Sequence, residues 1–467
     1  MSSLVPERES TIAAISTPLG EGGVAVIRIS GGESHSIARK IFVPAGNTGF
    51  SERKLCFGKI IDPETGGTVD EVLCVVMSSP DTYTGEDVAE IHSHGGYVVP
   101  RKILEILIGL GATLAAPGEF TQRAFLNGKM DLAQAEAVSD IISAQTEQSL
   151  RYAEALLEGT LSGKVNELKD QILDVLAEIE ANLDFPEEDI DPIAKNRLKE
   201  ASGSVEKELS ALIDSYDTGR MFRDGVTMVI LGKPNVGKSS ILNCLLETQR
   251  AIVSPIAGTT RDFIEERINI GGIPLVITDT AGIRDTEDRI ERLGVELSLK
   301  KAEESEFVLV VLDQSTELDG LDIRILKTAA KKKHLVVINK IDLEEKLERS
   351  KLRRILGRKK LIETSALAKE GIGRLRQAMF ETLSGSPNAL DASDASELVL
   401  TNLRHKKSIE KARGQLRMFL ELLGRNEYPE ILSIELRNSM NSLGEITGEV
   451  TTEDLLGRIF SRFCIGK

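Results

Sequence analysis

The sequence predicts a multidomain α/β and α+β fold: an N-terminal α+β domain, a discontinuous α-helical domain, and a P-loop α/β domain inserted into the helical one. Three observations predict it. The chain has 467 residues, more than one core of about 100–200 residues accommodates. The apolar run Val226 to Leu231 leads straight into Gly232-Lys-Pro-Asn-Val-Gly237-Lys238-Ser239, the order strand, phosphate-binding loop, helix. Short strands alternate with turns up to about residue 120, whereas 121–220 and the last 70 residues read as amphipathic helices.

In chain order, Ile12 to Ile15, Val24 to Ile29 and Val72 to Met77 read as strands, and Val98 to Leu110 as a helix. The segment Tyr83 to Gly96 packs polar groups around glycines. His92 and His94 share one strand face there, either as a metal site or, with no ligand-spaced acid or cysteine nearby, as hydrogen-bonded histidines. Ala133 to Ile142 and Val165 to Leu183 carry helical apolar spacing, which Phe185-Pro-Glu-Glu-Asp-Ile-Asp-Pro192 breaks. The expected domains are 1–120, 121–220, 221–385 and 386–467, the last opening on the linker Pro387 to Ser396. Helices over Leu398 to Leu423 and Glu430 to Leu443 are too few for a core of their own. They are expected to pack with the 121–220 helices, which makes the nucleotide domain an insertion.

Composition narrows the class. Four scattered cysteines (Cys56, Cys74, Cys244, Cys464) form neither a disulfide framework nor a zinc pair, no apolar run reaches bilayer length, and Met1 to Glu9 has no signal-peptide core. The expectation is a cytoplasmic protein with no membrane association. With 58 Lys and Arg against 73 Asp and Glu, the formal charge of −15 argues against indiscriminate polyanion binding. The runs Lys331-Lys-Lys333 and Arg358-Lys-Lys360 read as solvated surface.

Five strings in order point to a Ras-like guanine-nucleotide domain. In the first, Asn235, Val236, Gly237, Lys238, Ser239 and Ser240 cradle phosphates; Lys238 reaches the β- and γ-phosphates and Ser239 meets Mg²⁺. Gly258-Thr259-Thr260 supplies a loop threonine to the same ion. Asp279-Thr280-Ala281-Gly282 follows the strand Leu275 to Thr278, with Asp279 behind the Mg²⁺ and Gly282 at the γ-phosphate. Asn339-Lys340-Ile-Asp342 follows Leu335 to Ile338, and its Asp342 carboxylate accepts two guanine N–H groups that adenine lacks. Ser365 and Ala366 complete the base pocket. Where Ras-like proteins hold a water-orienting glutamine this chain has Ile283, so something else must hold the water. Glu291 is nearest, although its spacing alone is that of a solvated helix acid. Asn235 could hold a monovalent cation in place of an arginine finger.

Further strings extend over nearly the whole chain: Gly22-Gly23-Val-Ala-Val-Ile-Arg28, Thr84-Gly-Glu-Asp-Val-Ala-Glu90, His94-Gly-Gly96, Pro117-Gly-Glu-Phe-Thr-Gln-Arg-Ala-Phe-Leu-Asn127, Lys129-Met-Asp-Leu-Ala-Gln-Ala-Glu136, Leu183-Asp-Phe-Pro186 and the terminal Phe463-Cys464-Ile-Gly-Lys467. Together with the nucleotide strings they resemble the tRNA-modification GTPase family MnmE, also called TrmE. Asp81-Thr82 departs from the Asn-Ser-like pair more usual there. The resemblance implies a homodimer whose N-terminal domain binds methylene- or formyl-tetrahydrofolate through Arg28, Glu90, Lys129 and Lys467. It implies K⁺ on Asn235, Ser254, Ile256 and Thr259, with Pro255, Ala257 and Gly258 in the same GTP-binding loop. It also implies Mg²⁺ on Ser239 and Thr260, water held by Glu291, and Cys464 as either a nucleophile or a positional feature of the folate pocket. The implied activity is GTP hydrolysis coupled, through an FAD-containing partner MnmG (GidA), to placing an aminomethyl-type group on C5 of a tRNA wobble uridine. The alternatives are a ribosome-assembly or regulatory GTPase acting as a binding switch, and a folate enzyme in which GTP is only structural.

Overall fold

The computed structural model describes residues 10–46, 51–183, 192–247, 266–278, 299–357, 359–385 and 398–467. They form two compact units: one holds the chain up to Ser139 with Ala155–Glu206 and Lys411–Lys467, the other Asp140–Glu154 with Lys207–Glu410.

The first unit contains a seven-stranded sheet. Its strands are β1 (Ile12–Ile15), β2 (Val24–Ser30), β3 (Phe42–Pro44), β4 (Cys56–Ile61), β5 (Thr68–Met77), β6 (Val88–His94) and β7 (Thr113–Leu114), in spatial order β3-β4-β5-β6-β2-β1-β7. Strand pairing is antiparallel apart from β1 with β7. Alternation along the strands splits the two faces. Ala13, Ile27, Ile29, Cys74, Val76, Ala89 and Ile91 pack against α1 (Ser34–Ile41) and α2 (Val99–Gly109) through Ile37, Ile41, Ile103 and Leu107. The other face carries the cross-strand row Ala14, Arg28, Glu90 and Val75. The predicted Val98 to Leu110 helix is found within one residue at each end. The eight-residue α1 and three-residue β3 were not foreseen, because neither spans enough turns or alternations to print a period.

Helix α3 (Glu119–Leu126) fastens a loop to that second face. The guanidinium of Arg123, 4% exposed, donates to Glu119 at 2.8 Å, to both Glu86 oxygens at 3.1 and 3.2 Å, and to the Ser10 carbonyl at 2.8 Å. Ser30 Oγ also donates to Glu86, and the Asn127 amide to the Thr84 carbonyl, both at 2.7 Å. Gly118 precedes the helix at φ +70°, and a Cβ there would lie 2.7 Å from the Phe460 carbonyl.

Four helices follow: α4 (Leu132–Ser143), α5 (Glu147–Leu157), α6 (Thr160–Leu183) and α7 (Pro192–Asp224). In α6, Leu161, Val165, Leu168, Ile172 and Ile179 are buried at three- and four-residue spacing. The chain ends in α12 (Leu403–Gly424), α13 (Pro429–Thr447) and α14 (Glu453–Phe460). As the apolar stripes demand, α13 packs along α6, with Arg437 pairing Glu180 and Lys169 pairing Glu449. Ser439 is buried where α13 meets α12 and donates to the Ala412 carbonyl at 3.0 Å. Phe460 and Phe463 pack with Leu132, Ala135 and Phe125. Most of the break from Phe185 to Pro192 lies outside the described residues.

The second unit holds a six-stranded sheet, β8 (Val226–Leu231), β9 (Glu266–Ile270), β10 (Ile273–Ile277), β11 (Phe307–Asp313), β12 (Lys333–Asn339) and β13 (Leu361–Glu363), ordered β13-β12-β11-β8-β10-β9. All pairs are parallel except the β9–β10 hairpin. All seven β11 residues are buried, as a central strand covered on both faces requires. α8 (Lys238–Glu247) and α11 (Ile372–Ser384) cover one face, α9 (Gly320–Ala329) and α10 (Arg349–Leu356) the other. The unit also takes in residues beyond the nucleotide domain's expected limits. Thr146 donates to the Gly272 carbonyl at 2.7 Å, Ser149 to the Phe222 carbonyl at 2.6 Å, and Arg223 grips Asp140.

Truncating Arg123 strands two carboxylates in a buried setting. Arg123→Ala is therefore expected to cost about 3–5 kcal/mol, read as a lower denaturation midpoint of the first unit in urea; an unshifted midpoint contradicts the role given to this cluster.

Candidate functional site

Parallel strands β8, β12 and β13 end at the same edge of the sheet, and each carries one sequence-predicted string past its carboxyl end, where such folds bind ligands. The loop after β8 has a backbone few residues adopt: Asn235 and Gly237 lie at φ +63° and +97°. A Cβ on Gly232 would sit 2.4 Å from the Val311 carbonyl, and one on Gly237 would sit 2.2 Å from the Asn339 amide nitrogen. The loop therefore closes only with glycine at both places. Lys238 opens α8 and its ammonium donates to the Gly232 and Lys233 carbonyls at 2.9 and 2.8 Å, spanning the loop mouth. Ser239 and Ser240 follow in the first turn of that helix, whose N-terminal amides favour an anion.

Lys233 anchors the loop from outside, bonding Asp322 at 2.7 Å and Asp319 at 3.2 Å, the two acids of the α9 capping box. Burial pulls the Lys233 ammonium down; its bonds to Asp322 and Asp319 outweigh this and leave it above its ordinary value.

Asn339 joins this loop to the next. It is 2% exposed; its Nδ2 donates to the Val236 carbonyl at 2.8 Å, while its Oδ1 accepts from the Ala366 amide at 3.1 Å and the Thr364 hydroxyl at 3.3 Å. Lys340 follows at φ +63° with its ammonium 2.6 Å from Asp313. Burial pushes the Asp313 carboxyl up, but Lys340 and Ser315 more than offset it and hold it below the usual carboxylate range. Asp342 projects exposed from the loop, whose Ile341 amide bonds the Thr364 carbonyl at 3.2 Å. Ser365 is buried, its amide bonding the Glu370 carbonyl at 3.1 Å. Asn235, Val236, Gly237, Lys238, Ser239, Ser240, Asn339, Lys340, Asp342, Ser365 and Ala366 thus gather at one edge. Ser254, Pro255, Ile256, Ala257, Gly258, Thr259, Thr260, Asp279, Thr280, Ala281, Gly282, Ile283 and Glu291 lie outside the described residues. Sequence reading missed Asp313 and Lys233; an acid closing the apolar run Phe307 to Leu312 was the available signal for the first.

Two of the N-terminal candidates stand on the face of the seven-stranded sheet that Phe120 packs against. Arg28 and Glu90 are cross-strand partners bonded at 2.8 Å. The Arg28 guanidinium lies 5.7 Å from the Tyr83 ring centre and 5.8 Å from that of Phe120, within cation–π range. Burial raises the Tyr83 phenol, against the opposing pull of its Thr121 hydrogen bond and of Arg28. Lys129 lies against Gly85 and donates to the Pro80 carbonyl at 3.0 Å. The C-terminal string returns to this sheet: a Cβ on Gly466 would lie 2.7 Å from the Ile15 carbonyl. Gly466, which precedes Lys467, therefore stands at the end of β1, and Cys464 is exposed. Tyr83 and Phe120 were not singled out beforehand, though both lie inside quoted strings. His92 and His94 bond carboxylates, Glu90 at 3.4 Å and Asp70 at 2.8 Å.

A phosphate loop and a guanine-reading loop tied together at one sheet edge define a P-loop guanine-nucleotide-binding protein. A family model described as "GTP-binding protein TrmE N-terminus" matches residues 11–129, and one described as "MnmE helical domain" matches residues 132–464. Proteins named tRNA modification GTPase MnmE from Alkaliphilus oremlandii and Geobacter sulfurreducens are each 44% identical to this chain, covering 98% of it and 99% of themselves; the one from Ligilactobacillus salivarius is 42% identical with full coverage of both. The chain belongs to the MnmE (TrmE) family of tRNA modification GTPases.

Asn339→Ala removes the three bonds that couple the loops and leaves the Val236 carbonyl without its donor. The expected loss is about 2–3 kcal/mol of nucleotide binding, roughly 30- to 150-fold in Kd, measured by titration with a fluorescent GDP analogue. An unchanged Kd contradicts the coupling.

Proposed function

We propose that this protein is a K⁺-dependent GTP hydrolase. With an FAD-containing partner of the MnmG (GidA) type, it installs a carboxymethylaminomethyl-type group on C5 of the wobble uridine of certain tRNAs, drawing on a tetrahydrofolate one-carbon unit. The observation that carries the reading is the coupling of the phosphate loop to the guanine loop through Asn339, supported by membership of the family.

In this reading the loop amides and Lys238 hold the β- and γ-phosphates, and Asp342 takes the guanine N–H pair against the Ser365–Ala366 backbone. Ser239 and Thr260 would hold Mg²⁺, which neutralises phosphate charge when bound. Asn235, exposed in the left-handed turn of the loop, would hold K⁺ with Ser254, Ile256 and Thr259. Glu291 orients the water for attack on the γ-phosphorus, since Ile283 cannot; the bond to the β-phosphate oxygen breaks and GDP and phosphate leave.

The residues on the N-terminal sheet suit an anionic ligand with amide-like edges. Lys129 donates only to a neutral carbonyl and keeps its charge for a carboxylate tail. Glu90 has acceptor oxygens for N–H edges, and the Arg28 guanidinium has the Tyr83 and Phe120 rings within cation–π range. Arg28, Glu90, Lys129 and Lys467 would hold the tetrahydrofolate derivative, which supplies the one-carbon unit, with Cys464 beside it. The same sheet is proposed as the homodimer contact. Among the described residues no helix is long and apolar enough to cross a membrane, and we place the protein in the cytoplasm.

GTP turnover is expected to be at least tenfold faster in K⁺ than in Na⁺ at equal ionic strength; equal rates remove the cation from the mechanism. Glu291→Ala is expected to keep GTP affinity and lose about 10²–10⁴-fold in turnover, and full turnover assigns the water elsewhere. Mass spectrometry of wobble nucleosides from cells lacking the protein is expected to show the C5 modification gone; an unchanged profile overturns the reading.

A further inference from the structure

From Arg324 to Lys360 the chain carries fourteen Lys and Arg against four Asp and Glu, within a protein of formal charge −15. Arg324, Lys327 and Lys331 are exposed and pair with no carboxylate among the described residues. They line one shallow groove with Gly320, Ile323 and Thr328. Spacings of three and then four residues align them on one flank of α9 and its C-terminal end, over roughly 10 Å. The opposite flank of α9, through Ile325, Leu326 and Ala329, is in the core, so the cationic flank faces solvent.

The neighbouring ammonium groups sharpen the effect. Lys332 donates to the Glu303 carbonyl at 2.6 Å, Lys333 to the Leu383 carbonyl at 3.2 Å and Lys351 to the Leu318 carbonyl at 3.3 Å. Lys359 lies 3.0 Å from His334 Nε2, whose Nδ1 bonds the Lys332 carbonyl at 2.8 Å. With an ammonium on Nε2, the ring is assigned as neutral with its proton on Nδ1. A carbonyl or a neutral imidazole satisfies a donor without cancelling its charge. Among the described residues of this stretch, Lys340, Lys360 and Arg349 meet carboxylates: Asp313 for the first, Glu381 for the second, and Glu345 and Glu363 for the third. Lys331 and Lys332 precede β12, which Lys333 opens and Asn339 closes, so Lys331 lies roughly 20 Å from Asn339, while Gly320 at the other end of the groove adjoins Asp319 and its bond to Lys233.

We propose that this flank of α9 is a docking surface for the phosphodiester backbone of the tRNA substrate. The assignment rests on the tRNA-modifying reading above and adds where this chain holds the RNA. A column of uncancelled cations on an otherwise acidic protein confines a polyanion to one place. No aromatic side chain lines the groove to stack on a base, and its one large apolar side chain, Ile323, is half-buried. The surface therefore positions an RNA without reading its sequence, and offers no apolar wedge to a bilayer.

The test uses the full chain and an unmodified tRNA transcript, with binding followed by fluorescence anisotropy between 50 and 200 mM KCl. The triple variant Arg324→Gln, Lys327→Gln, Lys331→Gln is expected to bind about tenfold or more weakly at 100 mM KCl. Its slope of log affinity against log salt is expected to be shallower by about two to three, with GTP turnover and melting temperature unchanged. Equal affinity and slope overturn the assignment, as does absence of wild-type binding at 50 mM KCl. Binding to phosphatidylglycerol vesicles that tRNA cannot displace also overturns it. Wobble nucleosides separate the two levels: full modification in cells carrying only the triple variant, where deletion abolishes it, sinks the docking surface alone, whereas no change on deletion sinks the tRNA reading itself.

Discussion

One buried carboxamide sets the geometry of the nucleotide site. Asn339 donates to the loop that follows β8 and accepts from the loop that follows β13, so phosphate and base contacts are fixed to each other rather than separately to the sheet. A buried amide satisfied at both ends is rigid because losing either partner strands a polar group. The same side chain explains Gly237. Its φ requires glycine, and the volume a Cβ would take there belongs to the Asn339 amide. Lys233 on the α9 acids and Lys340 on Asp313 extend the bracing outward.

The first unit uses an ionic version of the same device. Arg123 gathers Glu86, Glu119 and the Ser10 carbonyl, which holds the Thr84-Gly-Glu loop against α3. That loop and helix in turn supply Tyr83 and Phe120 around Arg28. Two strings far apart in sequence are thus one structural piece, and Gly118 and Gly466 let the C-terminal segment close on it.

Much of this was legible beforehand. β8 is a continuous apolar run followed by glycines, and its limits agree with the reading to the residue. Helices α6 and α13 showed their stripes, and the stripes required a partner that each supplies. What could not be read depends on contacts distant in sequence. The Arg28–Glu90 pair exists because of the β2–β6 register, and no local pattern announces that Thr146 and Ser149 reach the β10 turn and α7. The lysine runs were read as solvated surface since sequence does not tell whether a cation meets a carboxylate or a carbonyl; Lys332 and Lys333 meet carbonyls, Lys359 meets His334 and Lys360 meets Glu381. Lys238 and Asp342 lie at the carboxyl edge of the sheet because strand-to-loop order alone puts them there.

The central claim is that a triphosphate is gripped by main-chain amides while Asp342 chooses the base. The most direct measurement is calorimetric titration of the wild type and of Asp342→Asn with GTP, ATP and xanthosine triphosphate. The account predicts that the wild type takes GTP and neither of the others. The variant should lose GTP by about 100-fold and gain xanthosine triphosphate, whose C2 carbonyl oxygen accepts from the new amide where the guanine amino group donated. Uptake of ATP and GTP alike by the wild type, or a variant with unaltered preference, would contradict it.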